Sequence, residues 1–282
     1  MAGTIYPPEP HRALDRDRAS KPTFKVSERT STTTKNGQPP ISVADIGTGT
    51  GIWLVDLAPK LPPTARLDGF DFSMSKFRPV AARPPNVRLM EANALKPFPA
   101  ELHGQYDLVH VRLLVLALRT ASWEPLFANL CTLLRPGGYH LWEDVDMANF
   151  KGYPATTKTA GIVSQMMRFH ASQGSRGQPY LIGLDQLMAT KGFTDARLGG
   201  FKTSSYWNHP TLSRPTQRMM FTVIVAYLQG IVQLGGFEDL LTTEDAARKI
   251  AEMIKETEVG EAKLDTWYWR TIGRRSLEGE GR

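Results

Sequence analysis

One stretch constrains this chain more than any other: Val43-Ala-Asp-Ile-Gly47-Thr-Gly49-Thr-Gly51, followed twenty residues after the last glycine by Asp71. An apolar run from Ile41 to Ile46 reads as a buried strand, and Ile52–Leu61 reads as a helix stopped by Pro62-Pro63. Glycines at such a strand-to-helix turn let the backbone bend tightly and let a ligand lie against bare main chain. The dinucleotide fingerprint places its third glycine three residues after the second. Here it comes two residues after, and Ile52 holds the required position, which disfavours a pyrophosphate site and an NAD-dependent oxidoreductase. Asp71 ends a second strand, Arg66–Phe72, where an acid accepts hydrogen bonds from both hydroxyls of a ribose.

Strand and helix patterns alternate beyond this point. Asn86–Glu91, Tyr106–Val111 and Tyr139–Val145 read as strands, with a helix at Trp123–Leu134 ending before Arg135-Pro136-Gly137-Gly138. Strands separated by helix-length segments imply βαβ units and a parallel sheet. Thr156–Gln173, Leu181–Lys191, Ser213–Leu234 and Thr243–Glu258 read as helices, the last opening on a capping-type Thr-Thr-Glu-Asp. Phe193–Ser204 and Lys263–Ile272 read as strands. Residues 1–40 carry six prolines and a Thr-rich polar run without period, so they are expected to be a flexible tail ahead of a domain spanning 41–275, with a short tail at 276–282.

Hydrophobic residues make up 41% and charged residues 22%, a balance that supports a packed core and excludes wholesale disorder. The longest apolar run, Met219–Val232, falls short of the roughly 18 residues of a membrane span and reads as a core helix. The single cysteine, Cys131, excludes an intrachain disulfide and a cysteine metal cluster. The net charge of +6 is spread over many segments rather than gathered in a patch, so neither nucleic acid nor membrane is expected as a partner. The first twenty residues lack the apolar core of a secretory signal. A cytoplasmic location is expected, with a nuclear one also compatible.

With these motifs in order, the chain resembles the class I S-adenosylmethionine-dependent methyltransferases, in the branch of fungal secondary metabolism that also contains a nuclear regulator. The matching text is ADIGTGTGIW (44–53), GFDFS (69–73), PPNVRLMEANALKPF (84–98), YDLVHVRLL (106–114), LLRPGGYHLWEDVD (133–146) and KGFTDARLGGFK (191–202). The resemblance implies a Rossmann-like, doubly wound α/β fold with a seven-stranded, mostly parallel sheet whose last strand is reversed. It implies S-adenosyl-L-methionine as cofactor. Gly47, Gly49 and Gly51 would line its methionine and ribose, Asp45 would organise the loop near its amino group, and Asp71 would hold the ribose hydroxyls. The branch usually carries Asp-Asp-Ala after the third strand. This chain has Ala92-Asn93-Ala94, so Asn93, followed by Ala94, would receive the adenine amino group through an amide oxygen rather than a carboxylate.

The candidates for chemistry are His110 and Glu143, which close the fourth and fifth strands at the end of the sheet where ligands bind in open α/β folds. His110 titrates near neutral pH and suits base or orienting duty. Glu143 and Asp144 either face the pocket or cap the next helix. Trp53, Tyr153, His170, Trp207 and His209 are spaced aromatics that could line an acceptor pocket or pack as core and lid. No metal is expected. Relatives in the branch place amphipathic helices before the first strand to cover the cofactor. The segment before Ile41 lacks that pattern, and a partner chain supplying a cap is one way to close the cleft. The expected activity is methyl transfer to O, N or S of a small-molecule acceptor. The alternative is a non-enzymatic regulator acting through protein partners.

Overall fold

The computed structural model describes residues 40–115, 123–172 and 183–277. The expected tail therefore lies outside the described residues except for Pro40, as do 278–282. Ser276, read as the start of a C-terminal tail, donates its N–H and its hydroxyl to Gly192 O at 2.9 and 2.7 Å.

Seven strands form one sheet: β1 (Ser42–Ile46), β2 (Arg66–Asp71), β3 (Val87–Glu91), β4 (Tyr106–Arg112), β5 (Leu134–Val145), β7 (Phe193–Lys202) and β9 (Trp267–Arg275). Their order is β3-β2-β1-β4-β5-β9-β7. Pairs β1–β2, β2–β3, β1–β4 and β4–β5 are parallel, and β9 runs antiparallel to both β5 and β7. This is the doubly wound, mostly parallel seven-stranded sheet expected from the sequence, with the last strand reversed. The order changes direction between β1 and β4, so their carboxyl ends open a crevice.

Two cores form around this sheet. In the first, α2 (Trp123–Leu133) buries Leu126, Phe127, Leu130 and Leu133 against Val109, Val111 and Trp142, and α4 (Leu184–Thr190) adds Leu184 and Met188. In the second, α3 (Lys158–Ser172), α5 (Ser213–Gln233) and α6 (Thr243–Glu258) pack together. The Met219–Val232 run lies within α5, which is buried through Met220, Val223, Ile224, Leu228 and Ile231. Among the described residues no helix is long and apolar enough to cross a membrane. The second core includes Val115 and Val145, so helices from the second half of the chain sit at the carboxyl ends of β4 and β5.

Helix α6 begins as its sequence implies. Thr242 Oγ1 accepts from Asp245 N and Asp245 Oδ2 accepts from Thr242 N, both at 3.1 Å, a reciprocal capping box. Elsewhere boundaries shift. Helix α1 (Ile52–Leu57) gives way to a 3-10 turn at Ala58–Lys60 that contains Pro59, because proline cannot donate to a continuing helix. Strand β5 starts at Leu134, earlier than expected. Leu134 already pairs with Tyr106, and Arg135–Gly138 is absorbed as an irregularity with Gly137 at φ 76°. The final strand splits at Thr266, whose hydroxyl donates to Asp146 O at 2.7 Å. The split frees β8 (Lys263–Asp265) to pair with β6 (Lys151–Tyr153), a strand too short to show a period in sequence.

Candidate functional site

The glycine turn sits at the carboxyl end of β1. Gly47 N and Thr48 N both donate to Phe70 O on β2, at 2.8 and 3.0 Å. Gly49 lies at φ +56°, the left-handed region, and a Cβ built there would meet nothing within 4 Å. Its backbone faces open space that a ligand can use. Gly51 is required for a different reason: at φ +75°, an added Cβ would stand 2.8 Å from Leu89 Cδ1 on β3.

Asp71 reaches back to this turn. Its Oδ2 accepts from Gly49 N at 2.9 Å and its Oδ1 from Ser73 N at 3.2 Å. An ionised carboxylate offers about four acceptor directions, so capacity remains for a ribose diol. Phe72 follows immediately, 71% exposed. Sequence reasoning gave it no role, although an aromatic directly after the strand-ending acid was the available signal. A ring left in water beside this acid can stack on a flat base. Phe72→Ala should weaken nucleoside-ligand affinity by roughly 5- to 100-fold, the range of about 1–3 kcal/mol for base stacking, while the melting temperature stays put because the ring buries little. Calorimetry with S-adenosylhomocysteine and a thermal melt check both halves.

Asn93 is exposed in the loop after β3, and its Oδ1 accepts from Leu95 N at 3.0 Å. The amide oxygen retains one lone pair for a ligand. Ala94 is fixed through its carbonyl, which accepts from Asn129 Nδ2 on α2 at 2.6 Å.

Asp45 is buried and accepts from Thr48 Oγ1 and from His110 Nδ1, each at 2.7 Å. The parallel register sets Asp45 beside His110. On the far side His110 Nε2 lies 3.4 Å from Glu143 Oε2. Glu143 Oε1 in turn accepts from Arg270 Nε at 2.6 Å. Trp53 from α1 stacks on the imidazole, 3.7 Å between ring centroids and 10° between planes. Burial opposes charge on His110, but hydrogen bonds to Asp45 and Glu143, reinforced by their charges, raise its pKa above the ordinary value. Burial likewise opposes ionisation of Glu143, and His110 and Arg270 outweigh it and hold the pKa down. The ring lies between two carboxylates, each within reach of one of its nitrogens. Both ring nitrogens face protein carboxylates and the ring has no exposed surface, which places His110 to orient the loop rather than to meet an acceptor.

Asp144, the neighbour considered alongside Glu143, turns to the other face. It accepts from Leu114 N, Val115 N and Val145 N at 3.0, 2.9 and 3.0 Å, and burial pushes its pKa up to about 7. This carboxyl pins the loop after β4, where Leu113 adopts φ 54°. The side chain of Leu114 from that loop would lie 2.8 Å from a Cβ on Gly47, so the two loops interlock at the crevice.

The spaced aromatics do not converge on one pocket. Trp53 serves His110, while Tyr153 and Trp207 meet edge to face at 5.4 Å. His170 Nδ1 bonds Tyr227 OH at 2.8 Å, and His209 Nδ1 accepts from Leu212 N at 3.2 Å within its own turn. Among the described residues no His, Cys, Asp and Glu are grouped to hold a metal.

The sheet order brings the glycine turn and the acid together at the open end of a doubly wound α/β domain. Residues 43–138 match the family described as methyltransferase domain. Methyltransferase grgD of a Penicillium species is 44% identical over 119 residues, covering 40% of this chain and 41% of that protein. N-methyltransferase tcpN of Claviceps purpurea is 34% identical over 103 residues, covering 36% and 37%. The secondary metabolism regulator laeA of Fusarium oxysporum is 29% identical over 168 residues, covering 57% and 51%. The chain spans about two fifths of the length of the first two of these relatives. A solved phosphoethanolamine N-methyltransferase 2 from Haemonchus contortus, in complex with S-adenosyl-L-methionine, is 14% identical with a TM-score of 0.47, covering 89% of this chain and 51% of that one. The fold assignment rests on the strand order, not on this likeness. Residues 43–138 are thus similar to methyltransferase domains, and the relatives named above are fungal proteins.

Proposed function

We propose that the protein transfers a methyl group from S-adenosyl-L-methionine to O, N or S of a small-molecule acceptor in secondary metabolism. The observation that carries this reading is the open left-handed turn at Gly49, bonded to Asp71 and flanked by exposed Phe72. These residues fit the cofactor. Asp71 would take the ribose hydroxyls, Phe72 the base, and the backbone at Gly49 would allow close approach. When bound, the cofactor supplies a methyl group on a positively charged sulfur.

The protein's share of the work is alignment and exclusion of water. His110 and Glu143 serve it as positioning residues. They tie the cofactor loop, through Asp45, to β5 and to Arg270 on β9. The second core supplies an apolar wall at the carboxyl ends of β4 and β5.

Relatives named N-methyltransferases favour an amine acceptor. The match to a relative named a secondary metabolism regulator, over 57% of this chain, supports the second reading, a regulator acting through protein partners. Single-turnover transfer from labelled S-adenosylmethionine to a panel of amines, phenols and thiols separates them. The enzyme reading expects a methylated panel member at about 1–10 per second. Cofactor binding with no transfer to any class would favour the regulator.

A further inference from the structure

At the carboxyl end of β4, one charge has no counterpart. Arg112, Glu143 and Arg270 stand in register across β4, β5 and β9, on one face of the sheet. The carboxylate in the middle is already committed: Oε1 to Arg270 and Oε2 to His110. Asp45 is committed to Thr48 and His110. The two carboxylates thus face His110, whose pKa they raise, and Arg270. Arg112, half-buried, has no hydrogen-bond or ion-pair partner among the described residues. Tyr268, the second residue of β9 and paired with Val145 at the end of β5, is 6% exposed, and its hydroxyl has no hydrogen bond among the described residues. Arg112 is among the charges that act on that hydroxyl.

Neither the Arg112 guanidinium nor the Tyr268 hydroxyl is among the wholly buried orphan polar atoms, so both stay open to an arriving ligand, and a half-buried cation gains by meeting an anion. A planar fork of N–H donors with a neighbouring O–H matches a carboxylate in geometry as well as charge. We propose that Arg112 and Tyr268 form a carboxylate-binding subsite at the carboxyl end of β4. This rests on the methyltransferase reading. Two sources offer that chemistry: the methionine carboxylate of the cofactor and an acid group on the acceptor. In either case the arriving anion neutralises the surplus charge, next to a site that must tolerate a sulfonium.

The test is calorimetry on the full chain and on its Arg112→Gln, Arg112→Lys and Tyr268→Phe variants, each first shown by thermal melt to be folded. The ligands are S-adenosylhomocysteine, its decarboxylated analogue, and matched pairs of aromatic carboxylates and their amides added to the protein saturated with S-adenosylhomocysteine. If the cofactor is the source, Arg112→Gln weakens S-adenosylhomocysteine by about 10- to 100-fold, the range of lost charge-assisted hydrogen bonds. The decarboxylated analogue is then unmoved. If the acceptor is the source, S-adenosylhomocysteine is unmoved, and a carboxylate that binds the wild type over its amide loses that preference in the variant. Arg112→Lys should recover part of either effect and Tyr268→Phe should show a smaller loss. Unchanged S-adenosylhomocysteine affinity, together with no carboxylate preference lost on substitution, overturns the subsite. Failure of the wild type to bind S-adenosylhomocysteine at all would instead overturn the functional reading beneath it.

Discussion

Replacing Asp71 with alanine should weaken S-adenosylhomocysteine binding by roughly 10- to 100-fold, from the loss of charge-assisted hydrogen bonds of about 1.5–3 kcal/mol. Two losses combine. The ribose would lose its acceptor, and Gly49 would lose the bond at 2.9 Å that holds its N–H and fixes the open turn. Asp71→Asn keeps one carbonyl acceptor and should fall between wild type and alanine. Asp71 is only half-buried, so the melting temperature should move little in either variant. Calorimetry beside a thermal melt measures both. An alanine variant that binds as the wild type does would remove the acid from the site.

The larger effect on stability should come from His110. His110→Leu removes the imidazole between Asp45 and Glu143 and leaves Asp45, buried, with only the hydroxyl of Thr48. Breaking a buried charged pair from one side costs about 3–5 kcal/mol, which for a chain of this size lowers the melting temperature by roughly 6–20 °C. The effect depends on pH in a direction the environment fixes. The pKa of His110 is raised in the folded state, so its contribution is fully present below the ordinary value near 6.5 and is lost as pH rises through the folded value. Glu143 is depressed, so its contribution is present above about 4.5 and is lost as pH falls through its folded value. Asp144, pushed up to about 7, adds a loss of its own as pH rises from its ordinary 3.8 toward 7. Wild-type stability should therefore fall from mildly acidic to alkaline pH more steeply than that of His110→Leu, and the gap between them should narrow. Melts across that range measure it, and parallel curves would show that His110 is neutral in the fold.

What the sequence shows is what local chemistry decides. Gly47, Gly49 and Gly51 announce a turn because only residues without a side chain take φ of 67°, 56° and 75° readily, and Asp71 lies one crossover away, where strand ends meet. The capping box of α6 spans three residues and is legible for the same reason. His110 was visible as a titratable group at a strand end but its role was not. Its partners lie 65 residues before and 33 after, and only the register of β1, β4 and β5 brings them together. His140, thirty residues on, makes the contrast: also wholly buried, it has no hydrogen-bond partner among the described residues, and burial lowers its pKa to about 3. Two histidines on adjacent strands thus have pKa values shifted in opposite directions, decided by which face each side chain enters. The segment before Ile41, which lacks the capping pattern of the branch, lies outside the described residues. The apolar wall that is described, α3 with α5 and α6, could not be read as one unit because its helices lie far apart in the chain.

The central claim is that the Gly49–Asp71 turn is built for an adenosyl sulfonium and not for a dinucleotide. A calorimetric titration of the purified full chain with S-adenosylmethionine, and separately with NADH, tests it most directly. The account predicts one-to-one binding of S-adenosylmethionine, lost in large part in Asp71→Ala, and no saturable heat with NADH. Tight NADH binding with no response to S-adenosylmethionine would contradict it.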